Sequence, residues 1–159
     1  MTLVIRAGER ADVPLIAELI RGLARFQRLE SEVTVTQERL AANLFGPHRY
    51  AETLIAEADG SPVGFALFFH NFSTFLAQPG IYLEDLFVAP EHRGGGVGRA
   101  LLKELARLAV ERECGRLEWS VLDWNRDAIG FYERLGARPN SEWTVYRLTG
   151  EALSALGRE

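Results

Sequence analysis

The sequence predicts an α/β (α+β) domain, and three observations carry that expectation. Short β-branched and aromatic runs interleave with longer segments whose apolar residues recur at helical spacing. The stretch from Tyr82 to Leu105, YLEDLFVAPEHRGGGVGRALLKEL, reads as a strand, a glycine-rich turn and a helix in immediate succession. A chain of 159 residues, 47% hydrophobic and 25% charged, has the size and composition of one soluble domain spanning residues 1–159.

Leu3-Val4-Ile5 reads as a first strand. Asp12, with Pro14 in the first turn, opens a helix whose apolar residues are Leu15, Ile16, Leu19, Ile20, Leu23 and Phe26. The polar segment Arg28–Val33 is expected as a loop. Thr34 or Thr36 can cap a second helix through Leu40 and Leu44, stopped by Gly46-Pro47. Thr53–Ala58 is a strand, Asp59-Gly60-Ser61-Pro62 a hairpin turn, and Val63–Phe69 a strand apolar on both faces and so central. Asn71–Gly80 is expected as a loop before the Tyr82–Val88 strand. Beyond the helix that starts near Gly98, strands are expected at Leu117–Leu122 and Trp143–Leu148. Helices are expected at Arg126–Leu135 and Glu151–Leu156.

Ala89-Pro90 ends the Tyr82 strand, since proline cannot continue a ladder. The glycine turn then delivers the chain to a helix N-terminus. There the first amides lack internal partners and the helix dipole favours an anion, so the arrangement suits a phosphate. A P-loop needs Gly-Lys followed by Ser or Thr, and here Gly98 is followed by Arg99-Ala100. The dinucleotide pattern G-x-G-x-x-G starts at neither Gly94 nor Gly96. What fits is Arg93-x-x-Gly96-x-Gly98.

That run resembles the acyl-CoA pyrophosphate signature of the GNAT N-acetyltransferases, (Q/R)-x-x-G-x-(G/A). Trp124 to Ala137, WNRDAIGFYERLGA, resembles the family's later motif N-x-x-A-x-x-F-Y-x-x-x-G-(F/A), in the right order and separation. The resemblance implies a GNAT acyl-CoA N-acyltransferase fold, a central, mixed, mostly antiparallel sheet flanked by helices. It implies acetyl-CoA as co-substrate and a homodimer. The cofactor contacts it implies are Leu86, Phe87, Val88, Arg93, Gly94, Gly95, Gly96, Val97, Gly98, Arg99, Asn125, Ala128 and Phe131. Tyr82 to Val88, with Leu23-Ala24-Arg25-Phe26, is similar to the diamine (spermidine/spermine) and thialysine N-acetyltransferase branch. That branch implies a small-molecule primary amine as acceptor, contacted by Phe26, Gln27, Glu84, Asp85 and Tyr146. Two alternatives share the fold: a non-catalytic acyl-CoA-binding or sensing domain, and a protein N-terminal acetyltransferase.

An amine attacking a thioester must shed a proton, because an alkylamine has a pKa near ~10. It needs a base or a water path to one, donors for the oxyanion, and an acid for the departing thiolate. Glu84 lies mid-strand among apolar residues, where an unpaired carboxylate is costly to bury. The resemblance makes it the base, through an ordered water. Asp85 points to the other face of a regular strand. Both acids therefore reach one pocket only if the strand is bulged, and Asp85 then holds the substrate cation. The resemblance makes Tyr132 the general acid to the sulfur and gives backbone amides of Phe87 or Val88 to the thioester oxygen. Arg93 is expected to pair with a phosphate.

The chain departs from the polyamine branch at Phe26-Gln27, where Tyr-Glu is usual. It departs again at Thr144, where an acid is usual, and at Tyr146, where tryptophan is expected. Fewer anions along the pocket favour a short diamine or a lysine-like amino acid over a long polyamine, with Glu30, Glu32 and Glu142 as nearby acids. A net charge of −4 argues against nucleic acid as a partner. The single cysteine, Cys114, excludes an internal disulfide and points to a reducing, cytoplasmic setting. His48, His70 and His92 form no metal-ligand pattern, so no metal is expected. The N-terminal MTLVIRAGERAD has no signal-peptide core, and no apolar run has membrane-spanning length.

Overall fold

A five-stranded sheet organises the first part of the computed structural model, which describes residues 1–159 as two compact units, Met1–Ser120 and Val121–Glu159. The strands are β1 (Leu3–Ala7), β2 (Glu52–Ala58), β3 (Ser61–Ser73), β4 (Gln78–Val88) and β5 (Leu117–Trp119), in spatial order β1-β2-β3-β4-β5. The first four pair antiparallel and β5 joins β4 in parallel, which makes the sheet mixed and mostly antiparallel, as expected. Asp59 and Gly60, both at positive φ, form the tight β2–β3 turn.

Helix α1 spans Val13–Gln27, with Pro14 in its first turn. Asp12 precedes it, but the carboxylate is taken by the Arg6 guanidinium at 2.8 and 2.9 Å and by the Glu9 N–H at 2.7 Å. The helix lays Val13, Ile16, Leu19 and Leu23 onto Ile55, Phe65 and Phe87 of the sheet. Phe65 is fully buried there, and burying such a side chain stabilises the fold by about 2–3 kcal/mol. Helix α2 (Gln37–Phe45) adds Leu40 and Leu44 to that layer. Of the two candidate caps it uses Thr36, whose hydroxyl accepts the Arg39 N–H at 3.1 Å. Helix α3 (Val97–Glu111) packs Leu101, Leu102, Leu105 and Ala109 on the sheet, chiefly against β4 and β3.

Asn71–Gly80 is not the expected loop. The ladder continues through Asn71↔Gly80, Phe72↔Pro79 and Ser73↔Gln78, leaving only Thr74–Ala77 as the turn. The turn-like composition is overridden because a paired neighbour satisfies the backbone groups.

The second unit holds α4 (Arg126–Arg134) and α5 (Gly150–Gly157), where helices are expected. The expected strand at Trp143–Leu148 does not form. These residues have no ladder partner, and Trp143, Val145 and Tyr146 are 76%, 83% and 93% exposed. Likewise β5 ends at Trp119 rather than Leu122, with only three residues paired to β4.

Candidate active site

The β3–β4 register breaks at the acids. Phe69 pairs with Tyr82 and Phe68 with Leu83, but Leu67 pairs with Asp85, so Glu84 is an unpaired extra residue. This is a β-bulge, the condition under which both acids serve one face. Tyr82 and Asp85 are three apart and would lie on opposite faces of a regular strand. The bulge puts them on one face, because their partners Phe69 and Leu67 are two apart. That face is the α1 side: Phe87, two residues beyond Asp85, is in the α1 core and Leu67 packs against it. Tyr82 stacks beside Phe69 with ring centroids 5.3 Å apart, and its hydroxyl meets the Ser120 hydroxyl at 2.6 Å. No sequence pattern pairs Tyr82 with Ser120; the parallel β4–β5 register alone brings them together.

The two acids differ from what a plain strand implies. Glu84 is exposed and Asp85 is the sheltered one. Burial first, and the Glu84 charge second, raise the Asp85 carboxyl to about 6. The folded state therefore holds that proton more tightly than the unfolded chain. This group's contribution to stability falls as pH rises from ~4 through about 6.

Pairing to β5 stops at Leu83↔Trp119, just before the bulge. From Glu84 to Val88 the outer edge of β4 has no strand beside it. The Ala89 N–H bonds back to Val63 of β3, so alternation turns the backbone groups of Val88 and Leu86 outward to the open edge. Phe87 turns inward: its carbonyl oxygen lies 2.6 Å from where a Cβ on Gly64 would be, and its ring supports Gly22 of α1.

The glycine turn follows directly. Gly94 and Gly96 have φ of +80° and +86°, a region open mainly to glycine, and Gly96 is the N-cap of α3. No side chain caps α3 and its first turn carries no acid. A Cβ on Gly98 would meet nothing closer than Val88 at 3.8 Å. The fold itself thus needs no glycine at 98, and the bare first turn suits close approach by an anion. Arg93 is engaged elsewhere than at this turn. Its Nε donates to the Val88 carbonyl at 3.0 Å, and its guanidinium lies 4.1 Å from the Phe26 ring and 5.6 Å from that of Phe87. Phe26 and Gln27 are the last residues of α1.

The remaining expected residues belong to the second unit. The Asn125 side chain caps α4 by accepting the Ala128 N–H at 3.3 Å. Phe131 and Tyr132 are neighbours on α4 with ring centroids 5.5 Å apart. Tyr132 is half-buried, and that burial raises its pKa, so the hydroxyl keeps its proton through the neutral range. Tyr146 stands exposed in the segment without regular structure.

The family model described as the acetyltransferase (GNAT) family matches residues 16–137. A thialysine N-epsilon-acetyltransferase of Sus scrofa is 36% identical, with 98% of this chain and 97% of that protein covered. An L-ornithine N5-acetyltransferase of Arabidopsis thaliana is 34% identical, covering 97% of this chain and 87% of that protein. Among solved structures, an integron cassette protein from the mobile metagenome of V. cholerae superposes with a TM-score of 0.84 at 26% identity, covering 100% and 99% of the two chains.

Proposed function

The chain belongs to the acetyltransferase (GNAT) family, and from that premise we propose that it transfers the acetyl group of acetyl-CoA to the side-chain amine of a lysine-like amino acid or a short diamine, by direct attack in a ternary complex. It is an acetyltransferase acting on amines, as are the near full-length relatives of both kinds. A purely binding or sensing role is thereby set aside. One observation carries the chemistry: within twenty residues β4 supplies a bulged acid pair, then an open backbone edge, then an uncapped glycine-lined helix N-terminus. The uncapped turn suits the pyrophosphate. The outward amides of Leu86 and Val88 suit the pantetheine arm and the thioester oxygen. The acid pair takes the proton and positive charge of the amine, and Tyr132 of the later motif protonates the thiolate. A panel of amines incubated with acetyl-CoA, with release of free thiol as readout, tests this reading; no thiol release with any amine would sink it.

Acceptor size follows from charge. Each cation left unpaired in a desolvated pocket costs several kcal/mol, and Gln27 stands where the polyamine branch offers an acid. Thialysine or a short diamine is therefore expected to show a higher kcat/KM than spermine, and Gln27→Glu should narrow the gap. Steady-state kinetics on both substrate types decide it, and a wild-type preference for spermine counts against the assignment.

The proposal includes a homodimer in a cytoplasmic setting. Its support is the apolar segment bearing Trp143, Val145 and Leu148, exposed in the single chain, since such a surface needs cover. Light scattering at micromolar concentration is expected to give twice the 17.8 kDa chain mass; a monomer would refute it. No helix is long and apolar enough to cross a membrane.

A further inference from the structure

Within this acetyl-transfer reading, on which the inference rests, we propose that Asp85 accepts the proton of the reacting amine, while Glu84 holds a positive charge elsewhere on the acceptor. The family resemblance implies the reverse assignment. The bulge decides the matter. It leaves Glu84 without a ladder partner and exposed, and it turns Asp85 onto the α1 face opposite Leu67 and two residues from Phe87. An exposed carboxylate can follow a distal ammonium at little desolvation cost. A sheltered one is a stronger proton acceptor because its charged form is less well solvated.

The groups facing Asp85 leave it available. Across β3 the partner is Leu67, which is apolar. From α1, Gly22 lies against the Phe87 ring with the Arg25 guanidinium beside Gly22, and from the glycine turn Arg93 is held by Val88 and Phe26. Glu84 is the charged group that acts on Asp85, and neither acid has a hydrogen bond or ion pair of its own. With a pKa raised to about 6, Asp85 is ionised at neutral pH yet closer to the ~10 of an alkylammonium than an ordinary carboxylate near ~4. That reduces the uphill gap for proton transfer from ~6 units to ~4.

The step balances. One ammonium N–H bond breaks and its proton passes to an Asp85 carboxylate oxygen. The freed lone pair attacks the thioester carbonyl carbon. As the C–S bond breaks, the sulfur takes the electron pair and the Tyr132 hydroxyl proton, and the second proton lost by the nitrogen as the amide forms restores that hydroxyl. Asp85 then returns its proton to solvent past the exposed Glu84.

The test is the pH profile of kcat/KM and of kcat, with thialysine as acceptor, for wild type, Asp85→Asn, Asp85→Glu and Glu84→Gln. Wild type is expected to lose kcat/KM on the acid side with a midpoint near pH 6. Asp85→Asn should lower kcat by about 10²-fold and abolish that limb, and Asp85→Glu should restore part of both. Glu84→Gln should keep the limb and raise the KM for thialysine about fivefold or more. The opposite pattern, with the limb lost in Glu84→Gln and retained in Asp85→Asn, overturns the division of roles. Should Asp85→Asn fail to fold, the limb in Glu84→Gln decides alone. A wild type that acetylates no amine overturns the acetyl-transfer reading beneath it, whereas an active wild type with a Glu84-dependent limb overturns this inference alone.

Discussion

Tyr132→Phe is expected to lower kcat by about 10²-fold while leaving the affinity for acetyl-CoA nearly unchanged. The change removes one oxygen and keeps the ring. Whatever the ring contributes to packing beside Phe131 therefore survives. What is lost is a proton donor for a leaving group whose conjugate acid has a pKa of only ~8.5. Burial raises the Tyr132 pKa above that of a free phenol, so the hydroxyl is protonated across the working range and ready to donate. The loss should fall on kcat because the hydroxyl is needed as negative charge develops on sulfur, a feature of the transition state and not of bound acetyl-CoA. Rapid-mix kinetics with a direct measurement of acetyl-CoA binding separates the two. Loss of thermal stability in proportion to the loss of activity would show that the residue is structural.

Gly96→Asp should weaken acetyl-CoA binding by at least about tenfold, or ~1.4 kcal/mol. Two effects add. The glycine sits at φ +86° as the N-cap of α3, a conformation that costs an ordinary residue roughly 1–2 kcal/mol. A carboxylate there also caps the free amides that the pyrophosphate would use and opposes it with like charge. A Cβ at this position meets nothing within 4 Å, so the fold has room for the side chain and the variant is expected to remain folded. Isothermal titration with acetyl-CoA measures the effect. An unchanged affinity in a folded variant would remove the turn from the cofactor site.

Most of the architecture is legible in the sequence because local rules act where the chain needs no distant partner. Helical spacing from Leu15 to Leu23, the Thr36 cap, the Asp59-Gly60 turn and the glycine run into α3 all follow from residues within a few positions of one another. The glycine turn is legible for the same reason, since its geometry belongs to the backbone of Gly94, Gly96 and the first turn of α3. Strand limits are another matter. Asn71–Gly80 becomes ladder and Trp143–Leu148 does not, since a strand forms only where another accepts its hydrogen bonds.

The acid pair marks the boundary between the two kinds of information. Glu84 and Asp85 are visible at once as carboxylates in an apolar run, and their chemistry is a matter of composition. Which of them is sheltered is not. A single-residue slip between β3 and β4 reverses the faces, and only the pairing of Leu67 with Asp85, residues of two different strands, sets it. The sequence alone thus determined the helices, the glycine turn and the kind of reaction. The tertiary structure decided which carboxylate faces α1, where β4 is left open beyond Leu83, and that Arg93 lies over Phe26, because each depends on a neighbour brought in from elsewhere in the chain.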